Sequence, residues 1–326
     1  MFPRTRLRRL RRRNLQPLFQ ESRVFKEQLV APLFVDENLE SRIPVPSMPG
    51  VFRYPVGEIS DVVTGLCHAG IRSVLLFGIP AEKSEGAESA YADNGVVQRS
   101  IRAIRSNVPE MVIITDVCAC EYTTHGHCGI VGDTPQGKDV INDLSLDLMG
   151  LIAVSHAKAG ADIVAPSCML DGVVYWTRAA LDEAGYEDVL ILSYSTKFAS
   201  ALYGPFREAA DSSYLFGDRS TYQLNPSNAQ EGFRESQQDD IEGADLLMVK
   251  PGGWYLDVLA RVKTLGLPVA AYQVSGEYAM IRAAAAHGWI DERRAVMESL
   301  SCLRRAGADL IITYYAEQVA RWLDEE

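Results

Sequence analysis

Glu242-Gly243-Ala244-Asp245-Leu246-Leu247-Met248-Val249-Lys250-Pro251-Gly252-Gly253 carries the plan of the whole chain in one short stretch. Leu246 to Val249 is a continuous apolar run with no polar alternation. That is the pattern of a strand buried on both faces, as in a parallel sheet covered by helices. The glycine before it fits the left-handed C-cap that turns a helix into the next strand. Similar junctions stand at Ala69-Gly70, Ala159-Gly160-Ala161-Asp162 and Ala306-Gly307-Ala308-Asp309. Working outward, eight β-rich apolar runs emerge: 29–35, 73–79, 111–118, 163–167, 189–198, 245–250, 268–275 and 309–315. Helical patterns lie between most of them. Leu144, Leu148, Leu151 and Ile152 fall at helical spacing after a capping Asn142 or Asp143. Val296, Leu300 and Leu303 do the same after Asp291, and Gly307 stops that helix. Eight β/α units in a chain of this length predict a TIM (β/α)8 barrel. A doubly wound sheet is the competing α/β fold, but no G-x-G-x-x-G follows any strand. The expected organisation is a basic N-terminal arm over residues 1–28 and a single catalytic barrel over 29–326.

Composition narrows the function classes. The chain has 326 residues, 47% hydrophobic and 23% charged, which excludes a disordered protein. No apolar run approaches the roughly 20 residues of a membrane span. The cationic N-terminus lacks the apolar stretch of a signal peptide. Six cysteines are too few for a disulfide scaffold, which suits a reducing, cytoplasmic setting. Net charge is −11, yet residues 1–13 hold seven arginines (4, 6, 8, 9, 11, 12 and 13) and no acid. Such an arm suits nucleic acid or an acidic neighbouring subunit. The body shows no basic stripe that would continue a phosphate footprint, so the neighbouring subunit is expected.

Two loops are longer than connections normally are, 119–142 and 199–233, and both follow strands. In a barrel they lie over the C-terminal mouth, where barrel active sites are built. Residues 36–57 are proline-rich and predict irregular structure or a small hairpin.

Lysine is scarce, with seven against 25 arginines. Two of the seven, Lys197 and Lys250, close apolar strands. Desolvation disfavours an ammonium, and a second ammonium nearby disfavours it further, so both amines are expected to have depressed pKa values. A neutral amine can attack a ketone and form a Schiff base. A second constellation is Asp116-Val-Cys118-Ala-Cys120-Glu-Tyr-Thr-Thr-His125-Gly-His127-Cys128. Three thiolates that close suit zinc, with a fourth position open to water or substrate. A structural site would instead recruit His125 or His127. Arg207, Arg219 and Gln223 in the second long loop suit an anion, as do Ser275, which ends strand seven, and Tyr314 near the end of strand eight.

The same residues carry a family resemblance. The sequence resembles the porphobilinogen synthase (5-aminolaevulinate dehydratase) family nearly end to end. It does so through Ile-Pro-Ser-Met-Pro-Gly-Val near position 48, the cysteine segment and Ala-Pro-Ser at 165–167. Further matches are Ser-Tyr-Ser-Thr-Lys-Phe-Ala-Ser at 193–200, Tyr-Gly-Pro-Phe-Arg at 203–207 and Gly-Asp-Arg…Tyr-Gln-Leu at 217–224. Met-Val-Lys-Pro-Gly at 248–252, Val-Ser-Gly-Glu at 274–277 and Ile-Thr-Tyr-Tyr at 312–315 complete the set.

The resemblance implies that two 5-aminolaevulinate molecules condense asymmetrically to porphobilinogen with loss of two waters, an early step of tetrapyrrole (haem) synthesis. It implies a Schiff base on Lys250 for the first substrate, whose carboxylate meets Ser275 and Tyr314. It implies a second on Lys197, for a substrate whose carboxylate meets Arg207, Arg219 and Gln223. Cys118, Cys120 and Cys128 would hold zinc at that second substrate, with Asp116 and Ser167 orienting groups nearby. Arg234-Glu235-Ser236 matches a stretch whose Glu binds an allosteric magnesium, against which stands a plain solvated acidic helix. The resemblance further implies a homo-octamer, no nucleic acid partner and no membrane partner. The chain departs from the family where Cys168 replaces a common Asp and Val173 a common Arg. A class I Schiff-base aldolase on a TIM barrel would explain one lysine only. A zinc-stabilised nucleic-acid binder would explain neither.

Overall fold

A computed structural model of the chain describes residues 6–135 and 137–325. Eight parallel strands close on themselves: β1 (Leu29–Asp36), β2 (Ser73–Ile79), β3 (Val112–Val117), β4 (Ile163–Pro166), β5 (Leu190–Lys197), β6 (Leu246–Lys250), β7 (Val269–Gln273) and β8 (Leu310–Thr313). Each pairs with the next, and β8 returns to β1 through Ile311 opposite Leu29 and Ile312 opposite Val30. The predicted TIM barrel is therefore the observed fold. Every residue of β1, β2, β6 and β7 is buried, which is what continuous apolar strands between a filled interior and a helical jacket require.

The four glycine junctions all have positive φ: 95° at Gly70, 109° at Gly160, 102° at Gly243 and 115° at Gly307. Three of them share a further device. The Asp two residues on accepts a hydrogen bond from the backbone N–H at the start of the preceding strand. Ile113 N lies 2.7 Å from Asp162 Oδ2, Ile191 N 2.8 Å from Asp245 Oδ2, and Val269 N 2.8 Å from Asp309 Oδ2. Each Asp N–H also donates to the carbonyl of that same residue, at 3.0, 3.0 and 2.7 Å. These clips close the lower rim ahead of β4, β6 and β8, where an unpaired strand end would leave buried amides unsatisfied. The first junction has Arg72 in that place, and the Ser73 hydroxyl instead donates to Leu29 O at 3.2 Å.

Among the described residues ten α-helices fill the outer layer or cap the mouth. The helix Glu292–Ala306 follows the sequence reading: Asp291 accepts from Arg294 N at 2.8 Å, and Val296, Leu300 and Leu303 are fully buried. The helix Asn142–Ala159 (α3) does not. Leu144 and Leu151 are exposed, while Leu146, Leu148, Met149 and Ile152 are buried. Nor do Asn142 and Asp143 cap it. The Asn142 side chain instead holds Asp171, receiving its N–H at 2.8 Å and donating to its carbonyl at 3.0 Å.

Before Leu29 the chain makes three short 3-10 turns, and residues 6–13 are wholly exposed. Arg4, part of the predicted arm, lies outside the described residues. The proline-rich segment forms the expected small hairpin, Ile43–Pro44 against Phe52–Tyr54. Within 119–142 a second hairpin pairs Val131–Thr134 with Gly137–Val140. The stretch read as one loop from 199 to 233 contains the helix Gly204–Ala209 and the first turn of the helix Ala229–Glu242 (α6). Among the described residues no helix is long and apolar enough to cross a membrane.

Candidate active site

Lys250 and Lys197 are register partners at the ends of β6 and β5. Both are buried, at 4% and 5% exposure, in a barrel of 326 residues where lysine is otherwise a surface residue. The Tyr194 ring faces both amines, 5.4 Å from Lys197 Nζ and 4.9 Å from Lys250 Nζ. Tyr272, Phe206 and Tyr203 surround Lys250 Nζ at 4.2, 5.0 and 5.6 Å. In this aromatic box burial, then the charge of Lys197, pulls the Lys250 pKa down to about 7.

Lys197 departs from the expectation that both amines are depressed. Burial pulls its pKa down, but Cys128, Cys118 and Asp116 beside it outweigh that and raise it. Its ammonium also donates to Ser167 O at 2.5 Å. The two lysines thus split into a neutral amine and an ammonium, because one faces rings and the other faces thiols and a carboxylate.

Cys118, Cys120 and Cys128 come together with their sulfurs within 4.8 Å of one another, all buried. Cys118 Sγ lies 3.4 Å from Cys120 Sγ. Hydrogen bonds from Cys118 and Cys120 hold Cys128 well below the ordinary thiol range, while the other two thiols are raised. The donor set of three converging sulfurs suits a thiophilic cation with one position left open. The histidines do not complete it. Both ring nitrogens of His127 are engaged, with Tyr222 Oη and Phe216 O, each at 3.1 Å, and His125 Nδ1 accepts from His127 N. They tie the cysteine loop to the second long loop. Cys168 is buried, its thiol pushed up to about 12 by burial and then by Cys128, and it lies outside the cluster of three.

A small cavity joins these groups, lined by both lysines, Cys120, Asp116, Ser167 and Arg207, among others. Arg219 lines it too; it is 8% exposed and donates to Gly126 O and Ser212 O, both at 2.9 Å. Three polar atoms here are buried without a partner, Asp116 Oδ1, Glu121 Oε1 and Arg219 Nε, while the Tyr194 hydroxyl is turned to Asp116. Unsatisfied groups are rare in folded interiors, and a cluster of them at one cavity marks where a polar ligand belongs. Asp116 and Ser167 are joined by a 3.2 Å hydrogen bond.

The other predicted anion binders sit around this cavity rather than in it. Gln223, with an unpartnered Nε2, lines a separate polar cleft of about 400 Å³ together with Glu231, Glu235 and Asp171. Burial, then Asp171 and Glu231, raises the Glu235 pKa. Ser275 opens the helix Ser275–Ala286 (α8); its hydroxyl receives Phe206 N at 3.0 Å and donates to Leu202 O at 3.2 Å. Tyr314 lies just past β8, its hydroxyl 3.2 Å from that of Tyr272, so it reaches Lys250 through one ring.

Sequence reasoning missed Tyr194 and Glu121. Glu121 adjoins Cys120 in the quoted motif, and its acid, pushed up to about 7 by burial and then by Asp116, contacts Cys120 Sγ at 3.2 Å. Tyr194 gave no usable signal, because strict alternation puts it on the opposite face from Lys197.

Fold and site together define a barrel enzyme with paired buried lysines and a three-thiol cluster at the C-terminal mouth. Residues 4–322 match the family model described as delta-aminolevulinic acid dehydratase. A delta-aminolevulinic acid dehydratase of Archaeoglobus fulgidus is 50% identical over 99% of both chains. One of Bacillus subtilis is 49% identical over 95% of both. The solved delta-aminolevulinic acid dehydratase (porphobilinogen synthase) of Toxoplasma gondii, in complex with the reaction product porphobilinogen, is 43% identical with a TM-score of 0.96, covering 99% of this chain and 92% of that one. The chain belongs to the delta-aminolevulinic acid dehydratase family, and it is a lyase-type dehydratase.

Proposed function

We propose that this enzyme condenses two molecules of 5-aminolaevulinate to porphobilinogen with loss of two waters, through Schiff bases on Lys250 and Lys197. The observation that carries this reading is the pairing of two buried amines, in register on adjacent strands, beside a buried arginine and a thiol cluster. One ketone needs one amine, and a reaction that joins two ketones has use for two. Lys250, drawn down to about 7, supplies a neutral nucleophile at physiological pH. Its nitrogen adds to the ketone carbon of the first substrate, and the carbonyl oxygen leaves as water. The resulting iminium is an electron sink for bond making at the neighbouring carbon. Lys197 acts likewise on the second substrate after giving up a proton, with Asp116 and Ser167 close by to hold it.

Arg207 and Arg219 supply cationic donors for the second substrate's carboxylate, with Gln223 beside them, while Ser275 and Tyr314 serve the first. Cys118, Cys120 and Cys128 would hold zinc, which when bound supplies a Lewis acid at the second substrate. Glu235, in its acidic cleft, is the proposed seat of an allosteric magnesium. Six free cysteines favour a reducing cytoplasm, and the arginine arm favours an acidic neighbour in a homo-octamer rather than nucleic acid. The division into an arm over 1–28 and a barrel over 29–326 belongs to the same reading.

The test is direct. The purified enzyme, incubated with 5-aminolaevulinate, should release a pyrrole, and borohydride added during turnover should fix substrate to Lys250. Activity should vanish in Lys250→Arg, which keeps a cation but forms no useful imine. Robust turnover by that variant would refute the assignment.

A further inference from the structure

Lys197 enters the barrel because β5 carries one residue more than its neighbour. Leu247 and Val249 of β6 have a single residue between them. Their register partners, Ser193 and Thr196, have two. Side chains alternate along a strand, so Tyr194, whose ring faces both amines, and Lys197, three residues on, belong on opposite faces. The extra residue cancels one alternation, as a β-bulge does. Ser195 and Thr196 both turn outward, toward α6. Thr196 Oγ1 donates to Gly232 O at 2.8 Å and lies 2.7 Å from Ser236 Oγ, which is itself 3.1 Å from Ser195 Oγ. Just before the bulge, Ser193 Oγ donates to Asp239 Oδ2 at 2.5 Å.

A bulge leaves its extra residue unpaired and the ladder locally disrupted. Here the Ser195 hydroxyl bridges that gap to the facing strand, receiving the N–H of Met248 and donating to its C=O, both at 3.3 Å. A buried hydroxyl left without partners is costly, so the bonds that Ser195 makes here favour the bulge over a regular ladder. We infer that Ser195 is a positioning residue: its hydroxyl holds the bulge that aims Lys197 into the cavity beside Lys250. The inference rests on the reading of Lys197 as the second amine. A one-residue slip to a regular ladder would turn Lys197 out toward α6, the general consequence of a register change.

The experiment uses the full-length enzyme and its Ser195→Ala variant, with two readouts mapped by mass spectrometry. The first is borohydride fixation of 5-aminolaevulinate. The second is reductive methylation by formaldehyde, which needs no substrate. In Ser195→Ala, fixation at Lys197 should fall at least tenfold while fixation at Lys250 stays within twofold. Methylation of Lys197, reachable from the cavity in the parent enzyme, should fall severalfold, because the slip buries the amine between β5 and α6. Thr196→Ala, a milder loss, should move both in the same direction and keeps the test open if Ser195→Ala does not fold. Ser193→Ala loosens the same helix ahead of the bulge and should leave both readouts at Lys197 unchanged. Unaltered fixation and unaltered methylation of Lys197 in folded Ser195→Ala would overturn the inference. If the parent enzyme fixes substrate on Lys250 alone, the second-amine reading fails, and methylation still decides the bulge: a loss of Lys197 methylation in the variant supports it, unchanged methylation overturns it.

Discussion

The split between the two amines gives a quantitative prediction. Lys250 is drawn to about 7 by burial first and by the Lys197 ammonium second. An ordinary lysine at pH 7 is neutral in only about one molecule in 3,000, whereas a group with a pKa near 7 is neutral in about half. Fixation of 5-aminolaevulinate on Lys250 by borohydride should therefore rise with pH through a midpoint near 7 and level off above it. The sign follows from the nucleophile being the deprotonated form. Lys197→Met keeps a side chain of similar length and removes the charge. The two nitrogens lie 5.4 and 4.9 Å from one ring centre, so they are at most about 10 Å apart. At that distance and an effective dielectric near 20, two like charges repel by ~1.7 kcal/mol. One pK unit is ~1.36 kcal/mol, so the midpoint should rise by roughly 1.2 units. At pH 7 the neutral fraction, and with it the initial fixation rate, should drop about eightfold and recover by about pH 9. Quenched-flow fixation with peptide mapping from pH 5.5 to 9.5 measures this. A midpoint that stays put or falls in Lys197→Met would refute the coupling of the two amines.

Other consequences follow from the rest of the molecule. Changing Cys118, Cys120 and Cys128 together to Ala should remove about one zinc per catalytic site and most of the turnover, read by metal analysis and pyrrole release, while fixation at Lys250 survives. A softer, larger cation such as lead should inhibit the parent enzyme through the same thiols. Asp245→Ala unpairs Ile191 N on the lower rim and should destabilise the barrel by ~1–3 kcal/mol, seen as a lower denaturation midpoint, with activity per folded molecule retained because the clip lies opposite the mouth. His156 is buried with both ring nitrogens unpartnered, and burial lowers its pKa to about 3. The unfolded chain takes up that proton below about pH 6.5 and the folded chain does not, so stability drains away as pH falls from 6.5 toward 3. His156→Leu should remove ~2 kcal/mol of this loss at pH 5, measured as a flatter pH dependence of the denaturation midpoint. Deleting residues 1–13 should shrink the assembly in sedimentation while the barrel stays folded, whereas tight, salt-sensitive DNA binding by the intact arm would favour the nucleic-acid reading.

Most of the fold lay in the sequence because its signals are local. A left-handed glycine, an apolar run and a strand-ending lysine each act within a few residues, and all eight runs proved to be barrel strands. The lysines and cysteines were legible for the same reason: rare residue types stood at short spacing. Three things were not legible. The buried face of α3 is Leu146, Leu148, Met149 and Ile152 rather than Leu144 and Leu151, because both patterns have helical spacing and only the neighbouring elements choose between them. The opposite pKa directions of Lys250 and Lys197 depend on what the fold puts in front of each amine, rings for one and thiols with a carboxylate for the other. The inward turn of Lys197 depends on one extra residue in β5, which is visible only once β6 is laid beside it. The sequence by itself determined which elements form and which residue types carry the chemistry. The tertiary structure decided where those residues point and how they are charged, because register and electrostatic environment are properties of neighbours distant in the chain.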